Sequence, residues 1–163
     1  MITIGIDPGW ASFGISITKD GSLLGVKSFV PKNSQTIHGF ISVLDAWIDS
    51  TCIVTGPTQF EIYIERFVTY GGVQVDPENI LMLIGALDYF FTTHYSKPIL
   101  IKALDWKVRV MHHLVKTKGL SNPGTKFDKK YSIWAAENLS GQKFKSDHEA
   151  DAVCLSYMKA SVR

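Results

Sequence analysis

The chain opens on strict alternation. In ITIGID, residues 2–7, Ile2, Ile4 and Ile6 alternate with Thr3, Gly5 and Asp7, the period-2 pattern of a strand with one apolar face. The pattern stops at an acid. Residues 12–18 and 22–30 flank Asp20-Gly21, a dipeptide that favours a two-residue hairpin turn. Three antiparallel strands are therefore expected first. Residues 35–50 change period, with Ile37, Phe40, Ile41, Leu44 and Ile48 at helical spacing. FEIYIE, residues 60–65, alternates once more and again ends on an acid, Glu65.

Asp76-Pro77-Glu78 supplies a helix cap, a first-turn proline and a first-turn acid. The helix that follows, Ile80 to Phe91, is apolar nearly all round, interrupted only by Gly85 and Asp88. Such a helix must be covered on more than one side, either as a central core helix or with one face against a partner subunit. It is too short to span a bilayer. Pro98 to Ile101 reads as a short buried strand, and Leu104 to Val115 as a helix. A loop at Ser121-Asn122-Pro123-Gly124 precedes a helix from Phe127 to Leu139. The last helix starts near Ser146. A hairpin-linked start followed by alternating strands and helices predicts an α/β fold: a five-stranded mixed sheet with helices on both faces.

The 163 residues, 45% hydrophobic and 20% charged, suit one domain over 1–163. No leader pattern stands ahead of the first strand. Cys52 and Cys154 have no metal-ligand spacing, so both read as small buried hydrophobes and the expected setting is the reducing cytoplasm. The net charge is only +2, but it is unevenly spread. Between Lys97 and Lys130 nine cations meet two acids, while the remainder of the chain is acidic. A basic block of this kind fits a polyanion surface.

One stretch concentrates acids. SDHEADAV, residues 146–153, places Asp147, His148, Glu149 and Asp151 within five positions. Ser146 and Glu149 form a capping box, and Asp147 in the first turn suits the helix dipole. Asp151 is different, because it shares a stripe with Ala150, Cys154 and Met158, and an inward carboxylate needs a partner. His148 lies three positions earlier, so the two side chains can converge.

If the strands ending at Asp7 and Glu65 are parallel neighbours, their carboxylates emerge at one end of the sheet. With Asp151 they make three mutually repelling anions. A divalent cation resolves that conflict, and oxygen-rich ligation with little nitrogen suits Mg²⁺ or Mn²⁺. Two such ions can activate water and stabilise the leaving oxygen of a phosphodiester.

Three motifs carry a family resemblance: IGIDPGWASFGISI (4–17), IYIERFVTY (62–70) and SDHEADAVCLSY (146–157). With the element order between them, the chain resembles the RuvC Holliday-junction resolvases, including their phage-type members. The resemblance implies an RNase H-like fold and a homodimer. It implies Mg²⁺-dependent paired nicking of four-way DNA junctions that leaves 5′-phosphate and 3′-hydroxyl ends. Matched motif by motif, Asp7, Glu65, His148 and Asp151 are the catalytic metal ligands, with Asp147 a rival to His148. An aromatic after the glutamate, Phe67 or Tyr70, would stack on opened bases. Lys102, Lys107, Lys126, Lys129 and Lys130 fall where the family contacts DNA, and helix Ile80–Phe91 falls at its dimer interface. The implied location is the cytoplasm of a bacterium or of a phage-infected host.

Three other readings compete. A different RNase H-like nuclease would act on flaps, other branched DNA or RNA. The DxGxxxxG pattern at Asp7 also occurs in actin-like nucleotide-binding domains, but the chain lacks the length for two lobes and a second Gly-rich phosphate loop. The last is a junction-binding protein without catalysis.

Overall fold

The computed structural model describes residues 1–52, 58–67, 77–121 and 127–158. Five strands form one sheet: β1 (Ile2–Asp7), β2 (Phe13–Lys19), β3 (Ser22–Phe29), β4 (Phe60–Glu65) and β5 (Ile99–Ile101), in the order β3-β2-β1-β4-β5. The first three pair antiparallel, while β4 runs parallel to both β1 and β5. Asp20 and Gly21 take φ values of 52° and 82°, as a type I′ hairpin turn requires. The mixed sheet predicted from the pattern is the one observed.

Strand alternation sorts the side chains into two cores. Ile2, Ile4, Ile6, Ile15, Ile17, Ile62 and Ile64 face one way and are fully buried or nearly so. They pack under α1 (Ile37–Thr51) and α2 (Pro77–His94) through residues such as Phe40, Leu44, Leu87 and Phe91. The opposite face carries α3 (Ala103–Lys118), α4 (Lys129–Ser140) and α5 (Asp147–Ser156). Its core joins Tyr63, Trp106, Tyr131, Val153 and Cys154. Helices thus cover both faces. Neither cysteine is in a disulfide: Cys154 is buried and Cys52 half-buried.

Several boundaries differ from expectation for local reasons. α4 begins at Lys129 rather than Phe127, because the Asp128 carboxylate caps it by accepting from the Tyr131 N–H at 3.1 Å. α2 continues three residues past Phe91 to His94. A single 3-10 turn, Pro31–Asn33, follows β3. Asp76 and the 122–124 part of the expected loop lie outside the described residues. Among the described residues no helix is long and apolar enough to cross a membrane.

α5 rests on the sheet at backbone contact. A Cβ built on Gly5 would stand 2.1 Å from the Ala152 carbonyl oxygen, and one on Gly14 would stand 2.0 Å from that of His148. Only glycine permits so close an approach. Two neighbouring hydroxyls bond the same helix, Ser16 Oγ to the Ala152 carbonyl at 2.7 Å and Thr18 Oγ1 to the Ser156 carbonyl at 2.9 Å. Small residues on β1 and β2 therefore set the height of α5 above the sheet.

Candidate active site

The parallel register of β1 and β4 runs to Ile6 opposite Ile64. Asp7 and Glu65 are the next residues, so both acids emerge side by side at the carboxyl end of the sheet. Alternation turns them away from the isoleucine core and toward α5. Ser146 caps α5 by accepting from the Glu149 N–H, which starts the helix one residue before His148. The Glu149 carboxylate accepts from Ser28 Oγ at 2.8 Å and so ties this helix start to β3.

His148 reaches Asp7, with Nδ1 and Oδ2 2.5 Å apart. Asp147, the rival from the sequence, turns elsewhere: its Oδ2 pairs with Lys129 Nζ at 2.6 Å. Partial burial pushes the Asp147 carboxyl up, but the Lys129 ammonium, neighbouring His148 and backbone donors outweigh it and hold the group below its usual range. The hydrogen bond to Asp7 raises His148 above the ordinary histidine value, against the opposing pull of burial. At the acid cluster it is His148, not Asp147, that meets Asp7.

Glu65 and Asp151 show the strain of crowding. Burial first, then the Asp7 charge, pushes Glu65 up to about 7, although Trp106 and Lys107 favour its ionised form. The same two causes push Asp151 up to about 6, with Lys107 opposing. These three carboxylates lie close enough to disfavour one another's ionisation. Asp151 Oδ1 and Ser132 Oγ are both buried and neither meets hydrogen-bond geometry with another group, although the Ser132 hydroxyl lies near enough to favour the ionised Asp151 carboxylate. Orphaned buried oxygens of this kind mark a place for water or an ion.

One neighbour, Trp106, escaped the sequence reading, and Lys107, expected as a DNA contact, lies beside the acids as well. Trp106 is fully buried, and its indole Nε1–H donates to Glu65 Oε2 at 2.7 Å. Lys107 Nζ stands 5.0 Å from the Trp106 ring, so Lys107 lines the acid cluster as a half-buried cation. Trp106 sits among apolar helix positions and reads as core. Only its place beside Lys107, on the element after β5, could have linked it to the strand ends.

Among the described residues no three His, Cys, Asp or Glu side chains are arranged to hold a metal ion as they stand. The donor set itself fits a hard divalent cation: carboxylate oxygens, one imidazole, and a buried carboxylate oxygen lacking a partner.

The remaining candidates are distributed around this centre. Phe67 is half-buried two residues beyond β4. Lys102 is exposed at the start of α3, and Lys129 and Lys130 are exposed at the start of α4. Tyr70 and Lys126 lie outside the described residues.

No model of a known protein family matches this chain, and neither does any curated protein. Solved structures do match. The chain is similar to the Thermus thermophilus RuvC structure with a TM-score of 0.64 and 15% identity, covering 99% of this chain and 94% of that one. It is similar to T. thermophilus RuvC in complex with a Holliday junction substrate with a TM-score of 0.68 and 14% identity, covering 99% and 93%. At these identities the likeness establishes the fold: the chain has the RNase H-like architecture of RuvC over nearly its whole length, in agreement with the resemblance carried by its motifs.

Proposed function

We propose that this protein is a Mg²⁺-dependent endonuclease that resolves four-way DNA junctions by paired nicks, leaving 5′-phosphate and 3′-hydroxyl ends. The observation that carries the reading is the convergence of Asp7, Glu65, His148 and Asp151, drawn from two parallel strand ends and one helix, with a buried Asp151 oxygen left unpartnered. The fold shared with a RuvC bound to a Holliday junction substrate supports the choice of substrate.

Each residue has a distinct task. Asp7, Glu65, His148 and Asp151 would hold Mg²⁺ or Mn²⁺, two ions per site, and such ions supply Lewis acidity and a lowered water pKa. When it does not ligate an ion, His148, held through Nδ1 by Asp7, would use its other ring nitrogen to accept and pass on the proton of the attacking water. Trp106 fixes one oxygen of Glu65 and leaves the other for ligation. Lys107 offsets the concentrated negative charge. Exposed Lys102, Lys129 and Lys130, with Lys126, contact backbone phosphates and give affinity without base sequence. Phe67 or Tyr70 stacks on bases opened at the branch. The setting is the cytoplasm, where cellular or phage DNA is accessible.

The active unit is a homodimer through α2. Leu81, Met82 and Tyr89 are 58%, 49% and 75% exposed on that helix, a cost in water that a second copy removes. A two-fold pair presents two sites to the two symmetric strands of a junction. The test is product chemistry: nicked junctions whose ends DNA ligase reseals support the proposal, while junctions left intact with Mg²⁺ contradict it.

A further inference from the structure

A cavity of about 260 Å³ opens beside the acid cluster. The turn after β1, Gly9 to Ser12, forms one side, and Lys32, Ile80 and His148 complete it. His148 therefore belongs to two places at once, contacting Asp7 and bordering the cavity. The turn is tied down. The Trp10 carbonyl accepts from the Lys32 N–H at 3.1 Å, at the 3-10 turn that follows β3. Trp10 is half-buried against the isoleucine core, whereas Lys32 is exposed. Among the described residues no carboxylate lines the cavity. Its described lining includes Trp10, Ile80, Lys32 and His148, next to the centre proposed to hydrolyse a phosphodiester.

Those are the partners that the two halves of a nucleotide need. A base offers a flat π-face that stacks on an aromatic side chain, and its phosphate pairs with a lysine. Inside a continuous duplex a base is stacked on its neighbours and must be extruded at a cost. That cost is least where the base is already unpaired or unstacked, as at a branch point.

We propose that this cavity receives the nucleotide adjoining the scissile phosphate, with Trp10 stacking on its base and Lys32 pairing with a flanking phosphate. The proposal rests on the nuclease reading above and deepens it. The cavity makes productive seating at the acids depend on a base free to leave its stack. Selection for branched over continuous DNA is thereby built into the turn after β1. Stacking is tolerant of base identity, so the cavity selects structure before sequence.

The test uses the Asp7→Asn variant, expected to bind without cutting, and four-way junctions carrying 2-aminopurine at successive positions around the nick mapped with the wild-type protein. The expected result is a fluorescence change at a position adjoining the nick. That change is lost when Trp10→Ala is added and kept when Trp10→Phe is added. Trp10→Ala also weakens junction binding about tenfold, and Lys32→Gln lowers the slope of log affinity against log salt by about one. Circular dichroism and melting confirm that each variant is folded. Junction binding with a signal indifferent to Trp10→Ala overturns the cavity proposal alone. Failure of the wild-type chain to bind either junction or linear duplex overturns the nuclease reading and the cavity with it.

Discussion

The indole Nε1–H of Trp106 donates to Glu65 Oε2 at 2.7 Å, linking two residues 41 positions apart. The tryptophan is fully buried, so the bond sets the orientation of the carboxylate. Partners that orient a ligand in this way typically contribute 10–100-fold in metal affinity. Trp106→Phe keeps an aromatic ring in the core and removes the donor. Mn²⁺ titration by calorimetry is expected to show binding weakened by about tenfold or more. Unchanged affinity in a folded Trp106→Phe protein would contradict the orienting role.

The geometry separates two adjacent residues that the sequence left as rivals. His148 contacts Asp7, whereas Asp147 pairs with Lys129. His148→Ala should lower the nicking rate by about a hundredfold or more, while Asp147→Asn should change it only a few fold. The reverse order, with Asp147→Asn inactive and His148→Ala silent, would assign the fourth ligand to Asp147.

The acid cluster gives the metal-free protein a particular pH dependence. Glu65 is raised from 4.5 to about 7 and Asp151 from 3.8 to about 6. For an acid raised by folding, the native state holds a proton that the unfolded chain has released, so stability falls as pH rises through that window. His148, raised by Asp7, acts in the same direction, since its stabilisation is lost as pH rises through its folded value. The lowered Asp147 acts only below its ordinary range. Melting in chelator is therefore expected at a higher temperature at pH 5 than at pH 8, with Mg²⁺ or Mn²⁺ restoring stability at pH 8. A melting temperature that does not fall between those pH values would contradict the crowding of the three carboxylates.

The exposed side of α2 predicts the assembly state. With Leu81 and Tyr89 turned to solvent, the protein should sediment as a dimer at micromolar concentration. Leu81→Asp with Tyr89→Asp should shift it to monomer and reduce paired nicking. A wild-type monomer under those conditions would remove the interface from α2.

The legible parts of the fold were those with a local period. Strand alternation ended at Asp7 and Glu65, the Asp20-Gly21 turn placed the hairpin, and the helical stripe singled out Asp151. The sheet observed makes those two strands parallel neighbours, the condition on which the acids were expected to meet. What stayed hidden depends on contacts between distant segments. Gly5 and Gly14 appear in the sequence only as small members of alternating strands, yet they set the height of α5. Trp106 looks like an ordinary core residue until β4 is placed beneath it. Glu149 reads as a capping-box acid, and its bond to Ser28 on β3 shows only in three dimensions. The carboxyl end of the sheet, where the candidate site lies, was thus visible as a residue pattern, while the means of positioning it were not.

The central claim is that the cluster of Asp7, Glu65, His148 and Asp151 cuts branched DNA. The most direct measurement is cleavage of an end-labelled synthetic four-way junction with Mg²⁺, beside a linear duplex of matched sequence and the Asp7→Asn protein. The account predicts symmetric nicks at the junction, little cutting of the duplex, and a loss of about a thousandfold or more in Asp7→Asn. Equal cutting of duplex and junction, or wild-type activity in Asp7→Asn, would contradict it.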